Sequence, residues 1–435
     1  MSSANTGRGS WLIYGAPLAV AVVLNLLLFV GSHEHTTVDS ADYLAQAHAL
    51  VSDGAANNAK GLPDTVRTPG YPLFLAVFFA AQLGIRAAVA VQHVIWIALT
   101  LATVLVCWRW SGHRVAAVAA GFVMAVDLPG VEAANLVLTE TVSAALLLGV
   151  AWQVATLAGA EDNKVIARSI AAGVLIGVTA LVRPIAALLG VPIALAIFLI
   201  ASRRWRAVAA TATLIASLVL PAIWTARNYR ATGVATFSSI SAINLLLFRA
   251  AGTLAIRDPG GLDANFPARR RQLEALACDD AVAEYGRPCA EISTTLLAAR
   301  YSRLAIPIIL HDPWAYTLVS ARALVMIVLG GGATTLARAI QVSEGTARLL
   351  CLAYTVPLAL SAIAGLGFWW RRNRGVFWLL SLPVFYMIVT ALGPEAYSRF
   401  RVPVLPLYAM LSGGGVALAW ERLRPGLNKP ATARI

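Results

Sequence analysis

Apolar runs broken by short polar clusters recur along the chain from Trp11 to Trp420. A helix needs about 20 apolar residues to cross a bilayer. Ten stretches read as such spans: 11–31, 86–108, 115–128, 139–158, 168–182, 184–202, 206–226, 346–369, 376–393 and 402–420. Several are short, and two of them meet closely at Arg183-Pro184. Two further apolar segments, 71–84 and 314–330, do not fit as spans. The first is too short and follows Pro69-Gly70, and the second would break the alternation of charge between loops. Both are expected as helices lying at, or dipping into, the outer interface. The expected fold is an all-α polytopic membrane protein of about ten transmembrane helices with interfacial helices on its outer face. It forms one membrane domain over residues 1–435, with a first outer loop at 32–85 and a long outer loop at 227–345.

Charge then orients the bundle. Arg109 with Arg114, Lys164 with Arg168, Arg203, Arg204 with Arg206, Arg371, Arg372 with Arg374, and Arg422 with Arg424 fall on alternate loops. Ten spans with both termini inside place all of them in the cytoplasm, as the positive-inside rule requires. A twelve-span arrangement crossing at both interfacial segments is the rival, and it would put Arg203–Arg206 outside. Composition agrees with the pattern: 59% of residues are hydrophobic and 13% charged, against about a quarter charged in soluble domains. The net charge of +13 lies mainly between spans and forms no stripe on a soluble face, so nucleic acid is not an expected partner. The leader MSSANTGRGS has no A-x-A cleavage pattern, and the first span reads as retained. Cys107 and Cys351 fall in apolar spans, whereas Cys278 and Cys289 share the long outer loop, where a disulfide is expected in an oxidising compartment.

The outer loops carry more chemistry than packing requires. From Ser40 to Val51 the spacing is helical, with Tyr43, Leu44, Ala47, Leu50 and Val51 on one face. Asp39 and Ser40 stand where an N-cap belongs. Capping accounts for one of them, but not for the Arg67-Thr-Pro-Gly-Tyr71-Pro72 that follows. Glu140 opens a span in LVLTETVSAALLL. Such an acid is costly unless it has a partner or faces a wet cavity, and its plainer role is to complement the helix dipole. Arg183, in LVRPIAALL, must reach a phosphate, a carboxylate or water, or snorkel to headgroups. Arg227-Asn228-Tyr229-Arg230 and Glu395-Ala-Tyr397-Ser-Arg399-Phe-Arg401 add arginines on the face that the positive-inside preference disfavours.

Together these residues describe an outer-face anion site, because guanidinium binds phosphate with paired donors. Acids beside arginines suit a hydroxyl nucleophile attacking a substrate with a lipid-phosphate leaving group. The acid takes the proton, and the arginines bind the phosphate and stabilise its growing charge. No metal cluster stands out and no cofactor is expected. A divalent metal at His33 and His35, close to Asp39, is the lesser alternative. The chain has no P-loop, no dinucleotide glycine motif and no G-x-S-x-G.

Set in order, these blocks resemble the GT-C superfamily of membrane glycosyltransferases that use polyprenyl-phosphate sugars. Within it they are most similar to the dolichyl-phosphate-mannose protein mannosyltransferase and aminoarabinose transferase-like family of bacteria. The matching text is Asp39-x-x-x-Tyr43, Arg67-Thr-Pro-Gly-Tyr71-Pro-Leu-Phe-Leu-Ala76 and Leu138-Thr-Glu140-Thr, then Leu181-Val-Arg183-Pro and Trp224-Thr-Ala-Arg227-Asn228-Tyr-x-x-x-Gly233. His311-Asp-Pro-Trp-Ala-Tyr316 and Glu395-x-Tyr397-x-Arg399-Phe-Arg401-Val-Pro-Val-Leu-Pro406 complete it, and the set covers nearly the whole chain. The resemblance implies that Asp39 is the general base, with Asp42 as its rival because many relatives carry two adjacent acids here, and it adds Glu140 to the catalytic set. It implies donor-phosphate binding by Arg183, Arg227, Arg399, Arg401 and Arg67. Tyr43, Tyr71, Asn228, Glu395 and Tyr397 are expected around the site. It further implies inversion by direct displacement, and a polyprenyl-phosphate sugar donor held among membrane lipids. The acceptor would be a glycan, glycolipid or protein, and the site would face the periplasm from a bacterial inner membrane. A flippase of lipid-linked sugars and a non-catalytic envelope scaffold are the alternatives. Inverted repeats and broken midplane helices would favour the first.

Overall fold

A computed structural model describes residues 8–32, 35–157 and 161–424, with side chains from Tyr14 onward in the first helix. His33, one half of the metal alternative, and leader residues 1–7 lie outside the described residues. Among the described residues the fold is helical, and extended pairing is confined to one isolated bridge, Asn57 with Pro63.

Each of the ten expected spans is a helix. Six of them are long and apolar enough to cross a membrane: Tyr14–Gly31, Gly84–Ser111, Asp162–Val182, Arg206–Thr232, Glu344–Arg372 and Ser398–Leu423. A further one is Arg114–Val126, which continues into Leu128–Asn135 through a 52° bend. Glu140–Ala155, Pro184–Ile200 and Arg374–Thr390 are shorter apolar helices. The basic clusters meet at one end of the bundle: Arg372 Nε donates to the Ser111 carbonyl at 2.6 Å, and Arg204 pairs with Asp162 at 2.9 Å. The protein is thus a multi-pass membrane protein whose positive loops share one end.

The segment 314–330, expected at the interface, lies within Pro313–Ile340, whose 28 residues would suffice for a crossing. Side chains of neighbouring elements hold both ends of Pro313–Leu329. Asp312, which caps this helix, is held by Arg257 at 2.7 Å. Nearby, Arg249 donates to the Thr390 carbonyl, at the end of Arg374–Thr390 that is remote from its basic start. At the other end, the Leu329 carbonyl accepts from Thr355 at 2.9 Å. Thr355 stands about 25 Å along its helix from Arg372, at ~1.5 Å per residue.

The bundle core runs along the last helix, in which Leu405 to Gly415 are all buried. It packs between Glu344–Arg372 and Arg114–Val126, and Trp369 Nε1 donates to the Met410 carbonyl at 2.9 Å. A separate outer cluster forms where Gly261–Tyr285 and Thr294–His311 cover Leu246, Leu247 and Ala250, through Leu273, Ala277 and Tyr301. Buried Arg300 joins the two covering helices by pairing with Asp280 and Glu284. Cys278 and Cys289 are bonded there, with Cα atoms 5.5 Å apart, while Cys107 and Cys351 are free and buried.

Closing a loop of 11 residues stabilises this outer layer by about 2–3 kcal/mol. Reduction, or Cys278→Ser, should therefore expose residues 286–293 to protease and lower the melting temperature. Identical digestion patterns with and without reductant would show that the bond carries no stability.

Candidate active site

The site is assembled where four helix ends meet. Asp39 lies in the first turn of the helix Val38–Ser52, but it does not cap that helix. Thr37 is the N-cap, and Ser40 completes a capping box by accepting from the Thr37 amide at 2.8 Å. The Ser40 hydroxyl then donates to the Val137 carbonyl at 2.9 Å, which ties the loop to the segment leading into Glu140. With capping done by its neighbours, the Asp39 carboxylate is free to take two arginines. Arg67 Nη2 reaches one oxygen at 3.0 Å, and Arg399 Nη2 reaches the other at 2.8 Å.

Arg67 is aimed by its loop. The Asp64 carboxylate accepts from the Val66 and Arg67 amides, and Gln46 donates to the Arg67 carbonyl. Gly70 lets the next helix begin directly on the backbone of Leu181 and Val182, because a Cβ there would meet their main chain within 2.7 Å. That contact sets the first loop beside Arg183. Pro184 stops the helix Asp162–Val182 at Arg183, whose extended backbone carries its side chain across to the next helix. Arg183 Nη1 donates to Thr139 Oγ1 and to Glu140 Oε1, both at 2.8 Å. Arg399 Nε donates to the same Glu140 oxygen at 2.5 Å. Glu140 is wholly buried, and its other oxygen accepts nothing.

These residues edge a cavity of about 460 Å³, within the roughly 300–1,000 Å³ of ligand sites. Asp39, Tyr43, Arg67, Arg183, Tyr397 and Arg399 make its charged wall, and Pro184, Ile185, Ala187, Leu188, Ile240 and Phe248 make an apolar one. Leu188 is also 60% exposed on the outer surface of the bundle, so the apolar wall continues to the lipid-facing side. Burial pushes the Asp39 carboxyl up, but the charges of Arg399 and Arg67 and their hydrogen bonds outweigh it. Its pKa ends below the usual aspartate value.

The other expected residues separate into distinct places. Asp42 holds the outer side of Arg67 at 3.0 Å and is 53% exposed, at the rim and outside the cavity lining. Tyr71 lies fully buried under Tyr43 and donates to Gln92 at 2.7 Å. Arg227 does not face the cavity: its guanidinium donates to the Ala56 and Asp64 carbonyls and braces the first loop. Asn228 donates to the Thr236 carbonyl. Arg401 is 0% exposed, paired with Asp127 at 2.7 Å, and donates to the Ile327 and Val328 carbonyls at the end of Pro313–Leu329. It turns away because Ser398–Val404 is a 3-10 helix. At three residues per turn, positions two apart point to different sides. His35 Nδ1 is bonded to the Asn135 carbonyl at 3.0 Å. Among the described residues, no three His, Cys, Asp or Glu side chains gather as a metal shell.

Sequence reasoning passed over Arg249, Tyr386, Ser241 and Asn244, which complete the lining. Tyr386 donates to Ile185 and accepts from the Leu188 amide, fixing the turn after Pro184. Arg249 had a usable signal, an isolated arginine in the apolar run LLLFRAAG.

Residues 70–260 match the model of glycosyltransferase family 87. The matched segment takes in Glu140, Arg183 and Arg249, and it leaves out Asp39, Arg67, Glu395 and Arg399. The whole chain superposes on the apo oligosaccharyltransferase of Archaeoglobus fulgidus, with a TM-score of 0.57 at 13% identity over 100% of this chain and 53% of that one. Archaeal oligosaccharyltransferase AglB from the same organism, in complex with an inhibitory peptide and a dolichol-phosphate, gives 0.53 at 13% identity over 98% and 53%. ArnT from Cupriavidus metallidurans superposes loosely, at 0.38 with 16% identity over 93% and 78%. This chain therefore spans about half the length of the oligosaccharyltransferases whose fold it shares. No curated protein matches the chain.

The Arg401–Asp127 pair provides a test of role. Removing one partner of a buried pair costs about 3–5 kcal/mol, whereas replacing both by apolar residues is often neutral. Asp127→Asn alone should lower the melting temperature sharply, and Asp127→Leu with Arg401→Met should recover part of the loss, the Gly130 amide and the Ile327 and Val328 carbonyls staying unmet. The recovered double variant should bind inorganic or lipid phosphate as wild type does. Loss of that binding would return Arg401 to the anion site.

Proposed function

We propose that the chain is an inverting glycosyltransferase that moves a sugar from a polyprenyl-phosphate donor to an acceptor outside a bacterial inner membrane. The observation that carries this reading is the Asp39 carboxylate, held between Arg67 and Arg399 on the edge of a cavity that is also lined by apolar residues. The family 87 segment and the shared fold support it. So does the position of the cavity at the end of the bundle remote from the basic loops, rather than at its middle.

In this reading the isoprenoid enters along Ile185, Leu188 and Phe248, and its phosphate takes the guanidinium groups of Arg183, Arg399 and Arg67. Arg183 holds Glu140 through Nη1 alone, so the rest of its fork remains for the ligand. The acceptor hydroxyl attacks the anomeric carbon opposite the phosphate. The bond from that carbon to the phosphate oxygen breaks, the hydroxyl proton passes to Asp39, and the polyprenyl phosphate leaves on the arginines. Glu140 touches neither the acceptor nor the anomeric carbon, and it positions Arg183 and Arg399. Asp42 orients Arg67 from outside. The acceptor is a glycan, glycolipid or protein presented at the outer layer over residues 227–345.

Asp39→Asn should lower transfer from a lipid-extract donor by at least about 10²-fold while polyprenyl-phosphate binding persists. Full activity in Asp39→Asn, and in Asp42→Asn as well, would sink the chemistry. The pH profile follows from the lowered pKa of Asp39. A depressed carboxyl keeps its charge, and the ion pairs it stabilises, above the unfolded value of about 3.9. Both are lost as pH falls through the lower folded value. The acid limb of kcat/KM attributable to Asp39 should therefore lie below about pH 4. A limb near pH 6 would point to another base.

A further inference from the structure

The cavity has a second polar wall that the reaction outlined above leaves unused. Glu395, from the turn before the 3-10 helix, and Arg249, from the π-helical turn Leu245–Ala250, both line it. Glu395 Oε2 is buried and accepts no hydrogen bond, and Arg249 Nε is buried and donates none. Each is nonetheless fixed. Arg249 Nη2 donates to the Thr390 carbonyl at 2.7 Å. The Glu395 carboxylate folds back over Gly393, where any Cβ would collide with it. The two side chains form no ion pair with each other among the described residues. Ser241 and Asn244 line the same wall.

Both residues line the cavity, so a ligand held there meets a carboxylate and a guanidinium that do not satisfy each other. A phosphate cannot complement both, because its charge would meet the Glu395 carboxylate. A ring bearing neighbouring hydroxyl groups can: one hydroxyl donates to Glu395 while an adjacent hydroxyl oxygen accepts from Arg249. We propose that Glu395 and Arg249 form the subsite that holds the hydroxyl groups of a sugar ring, in the same cavity as the phosphate-binding arginines. Burial raises the Glu395 carboxyl above the usual glutamate range, offset in part by its own backbone amide and by Arg249. The proposal rests on the reading of this cavity as a glycosyltransferase site. The ring belongs to the donor or to a sugar acceptor, which present the same chemistry.

The test compares a polyprenyl phosphate with and without an attached hexose, bound to the purified full chain in detergent. Wild type should prefer the hexose-bearing lipid by at least about tenfold, the weight of one hydrogen bond to a charged group. Glu395→Gln and Arg249→Gln should each erase that preference while leaving affinity for the bare lipid phosphate within about twofold, which also shows that the variants fold. If the preference survives in both, the acceptor arm decides. With a glycolipid extract titrated as acceptor, Glu395→Gln should then raise the acceptor KM about tenfold with kcat little changed. Unaltered lipid preference together with unaltered donor and acceptor KM values overturns the subsite. A wild type that neither binds the bare lipid phosphate nor transfers sugar overturns the underlying reading instead.

Discussion

The site depends on one buried carboxylate. Glu140 is fully enclosed, and a single one of its oxygens takes both Arg183 and Arg399. An isolated ion in such a place would cost several kcal/mol, so Glu140 obliges two distant segments to bring arginines to it. One comes from the Pro184 break and one from the 3-10 helix before the last span. Two positive charges on one negative leave an excess that Asp39 answers from the first outer loop. Arg67 then answers Asp39, and Asp42 answers Arg67. The result is an alternating row of three acids and three arginines drawn from four parts of the chain. Its geometry is built from the inside outward.

The same constraint explains why similar residues have different fates. Arg399 and Arg401 sit two apart in one short segment and looked equivalent in the sequence. The 3-10 backbone sends the first to Glu140 and Asp39, and the second into the bundle against Asp127. There it also satisfies carbonyls at the end of Pro313–Leu329 that their own helix cannot. Arg401 is thus a brace behind Arg399. Arg227 is a brace of another kind, holding the first loop by the Ala56 and Asp64 carbonyls.

What was legible in the sequence follows from which forces leave a local trace. The membrane excludes unpaired backbone groups, so every expected span emerged as a helix from its apolar run alone. Charge alternation argues against a crossing at 314–330, whereas with its continuation the segment is long and apolar enough for one. Arg183 and Arg399 were visible as arginines on the face that the positive-inside preference disfavours, Asp39 and Arg67 as first-loop charges beyond what capping requires, and the structure brings all four together. The identity of the helix cap was not visible, because Thr37, Asp39 and Ser40 are all good caps and only the Ser40–Val137 contact selects among them. Nor was the division of the arginines into cavity-lining and bracing groups, since the sign of a charge is local and its partner is not. Arg249 escaped because its neighbours read as a plain apolar helix.

The neutral balance of the charged row bears on how the proposed base works. An aspartate clasped by two guanidinium groups is a poor proton acceptor, because they lower its pKa. A lipid phosphate entering the cavity adds negative charge to a set of three acids and three arginines that is already balanced. The buried Glu140 cannot leave, whereas Asp42 and Asp39 can, being about half and one third exposed. In the proposed reaction, binding of the donor would draw Arg67 and Arg399 toward the phosphate and loosen Asp39, raising its basicity only when there is a leaving group to expel. The free protein would then keep its base masked, and the donor itself would unmask it.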